Sequence, residues 1–265
     1  MIAAVVGNAR ALAFYAGYVV LTITWGSLSV LVAWLFPYRV RFHLVIGCWT
    51  RMVLLWLRVC CGIRVRVDGR EHIPAEPCLV FVKHQSTWET LFVQTLFAPQ
   101  ATIVKKELLH IPFFGWAFRL LRPIAIDRSD PRGALRSLIN DGKARLEQRI
   151  WVVLFPEGTR VPPGESRTFQ IGGAALAESS GRPVLVVAHN AGEFWPAHQL
   201  RKHPGTIRVI IAPPLSTVEK PRKEINAQAE ATMASAMTSL GGGPQISRLA
   251  TDNALETMKS RRGST

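Results

Sequence analysis

Three short stretches of the chain combine residue types that can do chemistry. In FVKHQSTWETLF, residues 81–92, an apolar run ends in Lys83 and His84, and Glu89 follows five positions after the histidine. An imidazole is the side chain best suited to take a proton near neutral pH, and a carboxylate on one ring nitrogen fixes the other as the base. The same glutamate has a structural reading. Ser86 and Glu89 have the S-x-x-E spacing of a capping box with Ser86 as N-cap, which explains Glu89 but neither Lys83 nor His84. The two roles are compatible, because a carboxylate one turn inside a helix can reach back to the loop before it. The second stretch is FPEGTR, residues 155–160. Gly158 permits backbone that other residues resist, and Arg160 carries a rigid fork of donors suited to phosphate. The third is IDR, ending in Arg128. Taken singly, each fits an ordinary turn or a structural histidine. Together, three polar runs directly after apolar strands point to one pocket, and two arginines near a histidine–carboxylate pair suit a phosphorylated substrate.

The elements that must position these groups alternate along the chain. Short β-rich runs predict strands at 64–68, 78–82, 102–104, 123–126, 151–155, 183–189 and 206–212. Helices are expected from Ser86, over parts of 108–121, from Pro131 to about Arg149, and over 172–178, 223–237 and weakly 251–260. Ser129, Asp130 and Pro131 make a helix start, with proline at the first helical position. This alternation predicts an α/β domain of about seven strands with flanking helices over 64–240, between N-terminal membrane-associated helices (1–63) and a polar tail (241–265).

The N-terminal part has a different composition. Residues 11–38 carry no charged side chain, and FHLVIGCWTRMVLLWLRVCCGI (42–63) is apolar apart from its His43, Arg51 and Arg58. The first run is long enough for a bilayer and too long for a signal peptide. The second reads as an amphipathic helix whose arginines reach headgroups. No acid precedes Asp68, whereas seven arginines do, and the formal net charge of the chain is +14. Arginines interleaved with Leu, Val and Trp suit anionic lipid, and the absence of zinc-finger or RNP-like patterns argues against nucleic acid. Cys48, Cys60, Cys61 and Cys78 have no metal-ligand spacing and read as small hydrophobes in a reducing compartment. A span and a hairpin in one leaflet both fit 11–63. The positive-inside rule puts Arg39 and Arg41 on the cytoplasmic side.

The ordered set of motifs resembles the glycerolipid acyltransferase family, in particular the bacterial 1-acyl-glycerol-3-phosphate acyltransferases. His84-Gln85-Ser86-Thr87-Trp88-Glu89 matches a His-x4-Asp motif with Glu in the acid's place. PIAIDR (123–128) matches an apolar stretch ending in arginine, FPEGTR (155–160) matches outright, and RPVLVVAHN (182–190) supplies a proline, Pro183, inside an apolar strand. Gln170 stands where the family often has lysine.

The resemblance implies acyl transfer from a thioester to the sn-2 hydroxyl of lysophosphatidic acid. His84 would be the base, Glu89 its partner, and Arg128 and Arg160 the phosphate clamp, with Gly158 and Thr159 beside them. Glu157 would bind the glycerol part or fix Arg160. Lys105 and Lys106 are candidate interface residues. No cofactor or metal is expected; the co-substrate is acyl-coenzyme A or acyl-acyl carrier protein. The implied location is a bacterial inner membrane, with the catalytic domain on the cytoplasmic face. Another lysophospholipid or a lyso-ornithine lipid as acceptor, or a non-catalytic basic membrane adaptor, remain as alternatives.

Overall fold

Strands buried on both faces read as unbroken apolar runs, and three of these form the middle of the sheet. β2 (Leu79–Val82), β5 (Trp151–Leu154) and β6 (Val184–His189) are buried at every position. The computed structural model describes residues 2–127 and 129–241. With β1 (Ile63–Asp68), β3 (Gln100–Lys105), β4 (Ile124–Ile126) and β7 (Gly205–Ile211), the sheet has the order β1-β7-β6-β2-β5-β3-β4. The strands from β6 to β4 are parallel, β7 runs antiparallel to β6, and β1 is parallel to β7. All five parallel strands therefore end on one edge of the sheet, where His84 and Glu157 follow β2 and β5. The edge strand β1 keeps Arg64 and Arg66 exposed, which discourages pairing with another chain.

Side chains alternate across each strand and so divide the core in two. Leu79, Phe81, Val152 and Leu154 meet α6 (Pro131–Glu147), α7 (Gly172–Ser180) and α8 (Arg222–Ser239). Val80, Val82 and Val153 meet α3 (Trp49–Cys61), α4 (Trp88–Leu96) and α1 (Ile2–Val32). The expected start of α6 is present: Asp130 caps it, accepting from Gly133 N at 2.9 Å, with Pro131 next. Its neighbour α7 closes on Gly181 at φ 64°.

Seven strands stand where the apolar runs predict them, within about two residues at each end. Three details differ. The helix expected from Ser86 begins at Trp88. The stretch 108–121 is split, because Pro112 and Phe113, whose φ is positive at 61°, divide a 3-10 turn, Lys106–His110, from α5 (Phe114–Arg119). The first helix starts at Ile2, well before the apolar run, because its polar residues find partners: Arg10 Nε donates to Cys60 O of α3 at 2.6 Å, and Asn8 Oδ1 accepts from Arg201 Nε of the domain at 3.4 Å. The helix expected at 251–260 lies outside the described residues.

At the N-terminus, α1 and α3 form a hairpin, joined through α2 (Tyr38–Phe42) and a π-helical segment, His43–Cys48. Arg41 closes the turn, donating to Ala33 O and Phe36 O, and to Leu120 O of the domain. The hairpin has two faces. Inward, Ala11, Phe14, Ala33, Val53 and Leu57 are buried. Outward, Val20, Leu31, Leu55 and Val59 are 58–70% exposed. Buried contacts recur along α1, a rod of about 46 Å, so it lies along the domain instead of projecting from it. An uncovered apolar face of this length is a membrane-binding surface.

Two outcomes follow. Glutamate at Val20, Leu31, Leu55 and Val59 together should shift the protein from the membrane pellet to the soluble fraction in an ultracentrifugation assay. Deleting residues 1–62 should instead give aggregated material, since it strips cover from Val80, Val82 and Trp88. Truncating one buried contact, Leu57→Ala, should cost about 2–5 kcal/mol in chemical denaturation of the detergent-solubilised protein.

Candidate active site

Glu89 lies in the first turn of α4 with its side chain turned back into the loop, fully buried. Its Oε1 accepts three hydrogen bonds: from His84 Nδ1 at 2.8 Å, Gln85 N at 2.9 Å and Ser86 N at 2.8 Å. The bond to Ser86 N is half of the capping box; the other half is displaced, since Ser86 Oγ accepts from Trp88 N at 3.1 Å. One oxygen thus serves both the helix start and the histidine. Because Oε1 only accepts, Nδ1 carries the proton, and Nε2 is left with a lone pair facing out. The His84 side chain is 16% exposed.

Burial alone would push the Glu89 carboxyl up. The hydrogen bond from His84, the nearby imidazoles of His189 and His84, and the Ser86 N–H outweigh it, and hold the carboxyl below its ordinary value. Beneath Glu89, His189 at the end of β6 has its Nε2 3.8 Å from Glu89 Oε2. Its Nδ1 accepts from Ala191 N at 3.2 Å, so Nε2 donates to Lys83 O at 2.8 Å. Burial, the largest influence, pushes the His189 pKa down and keeps the ring neutral.

The FPEGTR segment closes over this loop from β5. Phe81 pairs with Leu154, so continuing the parallel register sets His84 abreast of Glu157. Glu157 is buried, with Oε1 paired to the buried Lys83 ammonium and Oε2 accepting from His84 N at 2.9 Å. His84 O accepts from Val161 N at 2.8 Å, so both backbone groups of the histidine are held by this segment. The Phe155 ring stacks on the imidazole at 4.4 Å between centroids. Arg160 Nε donates to Ser86 O at 3.1 Å, and among the described residues its terminal nitrogens have no hydrogen-bond partner. Gly158 turns the chain at φ 71°, and Thr159 is exposed beside it.

The structure therefore brings His84, Glu89, Glu157 and Arg160 together. It corrects the expectation for Glu157: its oxygens hold Lys83 and the His84 amide, so the side chain neither pairs with Arg160 nor opens to a glycerol moiety. Arg128 lies outside the described residues. Lys105 and Lys106 are exposed where β3 ends, and Lys106 lines a separate cleft of about 420 Å³ with Arg119 and Asp127. Sequence reasoning missed Lys83, Phe155 and His189 as supports. Lys83 carried a signal: a lysine closing a buried strand needs a carboxylate nearby.

Comparison with known proteins agrees with this arrangement. The family model described as Acyltransferase matches residues 64–190. A 1-acyl-sn-glycerol-3-phosphate acyltransferase of Pseudomonas aeruginosa is 45% identical over 234 residues, covering 87% of this chain and 91% of that protein. The protein of the same name from Limnanthes alba is 30% identical over 208 residues, covering 77% of this chain and 72% of its own length. The crystal structure of a 1-acyl-sn-glycerophosphate acyltransferase from Thermotoga maritima superposes with a TM-score of 0.70, covering 87% of this chain and 95% of that one; at 24% identity it speaks for the fold. These likenesses remove the non-catalytic adaptor from consideration. The chain belongs to the bacterial 1-acyl-sn-glycerol-3-phosphate acyltransferase family, and it is a membrane-associated acyltransferase of lipid metabolism.

Proposed function

We propose that the protein transfers a fatty acyl group from a thioester to the sn-2 hydroxyl of 1-acyl-sn-glycerol-3-phosphate, giving phosphatidic acid. The observation that carries this reading is the His84–Glu89 contact, with a buried carboxylate on Nδ1 and an outward Nε2. The names of the relatives from Pseudomonas aeruginosa and Limnanthes alba supply the acceptor.

A hydroxyl is a weak nucleophile until its proton has somewhere to go. His84 Nε2 takes that proton as the substrate oxygen bonds to the thioester carbonyl carbon. Glu89 keeps the ring in the right tautomer and steadies the imidazolium that forms. The tetrahedral intermediate then expels the thiolate, which recovers the proton from His84 Nε2. The acyl group passes directly from sulfur to oxygen. Arg160, together with Arg128 from the sequence pattern, binds the acceptor phosphate and orients the hydroxyl. Gly158 and Thr159 shape the turn that presents Arg160. Glu157 and Lys83 act through His84 and are positioning residues.

Coenzyme A and acyl carrier protein are both acidic and suit a chain of net charge +14 as thioester carriers. The hairpin lies in one leaflet of a bacterial inner membrane with the domain on its cytoplasmic side, where Lys105 and Lys106 meet anionic headgroups. Exposed Leu108, Ile111 and Trp116 nearby support the contact.

Replacement of His84 by alanine should lower kcat by about 10²–10⁴-fold with the melting temperature little changed. Glu89→Gln is the sharper variant, since an amide still accepts from Ser86 N but cannot stabilise an imidazolium by charge. Its rate should fall by orders of magnitude; near wild-type kcat with saturating substrates would reduce Glu89 to a helix cap.

The two residues of FPEGTR should separate kinetically. Arg160→Ala should raise KM for the phosphate-bearing acceptor, with modest loss of stability. Glu157→Ala leaves Lys83 buried without its partner, and should cost about 3–5 kcal/mol in denaturant unfolding. An unchanged KM in the Arg160 variant would take that residue out of the acceptor site.

A further inference from the structure

At the end of the sheet opposite His84, the starts of three parallel strands border a second cavity of about 490 Å³. Pro99 leads into β3, Arg122 stands two residues before β4, and Ile150 precedes β5. Arg39 of α2 and Arg145 of the last turn of α6 complete the wall. Three arginines from separate parts of the chain thus line one space, and among the described residues no acidic residue lines it.

Some arginines of the protein have a carboxylate beside them. Arg149 pairs with Glu76 at 2.6 Å and Arg66 with Asp68 at 3.0 Å. Arg39 and Arg122 are exposed and form no ion pair among the described residues. Arg145 is half-buried; its Nη2 donates to Arg122 O at 3.2 Å and its Nη1 to Gln148 Oε1 at 3.3 Å, while its Nε is buried with no partner among the described residues. Arg122 itself has a left-handed backbone at φ 51°, a conformation that side chains other than Gly, Asn and Asp seldom adopt. Like charges repel, so such a cluster is stable only with counter-charge close by. Guanidinium forks fit the oxygens of a phosphate in two-point contact.

The surroundings name the bearer of that phosphate. Directly before α2, Trp34, Leu35 and Phe36 are 63%, 62% and 38% exposed, and Val40, itself a lining residue, is 43% exposed. They continue the outward apolar face of the hairpin, so the cavity opens where a bilayer surface would sit. Tryptophan beside arginine is the composition of a headgroup boundary. We propose that the cavity lined by Arg39, Arg122 and Arg145 binds the phosphate of an anionic glycerophospholipid headgroup, as a lipid site separate from the catalytic one. It would hold the far end of the hairpin on the membrane while the catalytic end works.

Thermal unfolding of the full-length protein in a neutral detergent tests this without using activity as the readout. Dioctanoyl phosphatidylglycerol should raise the melting temperature by about 3–5 °C at tenfold excess over Kd. Dioctanoyl phosphatidylcholine and sodium phosphate should not. The shift should vanish in Arg39→Gln/Arg122→Asn, where asparagine tolerates the left-handed backbone, and shrink in Arg39→Gln alone. Turnover of both variants with saturating short-chain substrates should match wild type. An equal shift in the double variant, no shift in wild type, or a matching shift with phosphatidylcholine would overturn the proposal. An arginine-dependent shift produced by phosphate alone would overturn the lipid assignment and make this a free-phosphate site.

Discussion

The buried ion pair between Lys83 and Glu157 is the constraint on which the catalytic end of the molecule depends. Removing two charges from water is costly unless each finds a close partner and further hydrogen bonds. Here the carboxylate meets the ammonium and the amide of His84. The ends of β2 and β5 cannot slide or separate without stranding a charge. This fixes the backbone of His84, and Val161 N and the Phe155 ring complete the hold. The imidazole is thus placed by its main chain from one side and by Glu89 from the other. Two buried carboxylates, one in the first turn of α4 and one just after β5, determine one ring.

The supports are layered. Glu89 Oε1 accepts from three donors, and His189 lies under its other oxygen as a neutral ring. A positive charge at His189 would pull Glu89 away from its role with His84. Burial prevents that charge from forming. Burial thus keeps His189 neutral beside Glu89, whose other oxygen accepts from His84.

Much of this was legible in the sequence, for reasons that differ by element. The strands showed because runs such as LVFV and WVVL are buried on both faces and have no polar position to blur them. The contact of His84 with Glu89 was also local, since five residues across a helix start restrict what the carboxylate can reach. The partner of Glu157 was not legible. Lys83 is 74 positions away, and only the adjacency of β2 and β5 brings the two together. Strand order is a property of the whole chain, and no local pattern carries it. The same holds for the docking of α1: the sequence marks an apolar run, but which face meets Trp56 or Phe113 depends on where α3 and α5 lie.

The outward face of the hairpin also sets the dimensionality of the chemistry. A protein held along α1 and α3 meets lipid molecules by lateral diffusion within a leaflet, not by capture from water. What such an enzyme senses is the mole fraction of acceptor among its neighbours. Diluting the surface with inert lipid slows it at constant bulk concentration, and adding more vesicles of the same composition does not speed up the individual enzyme.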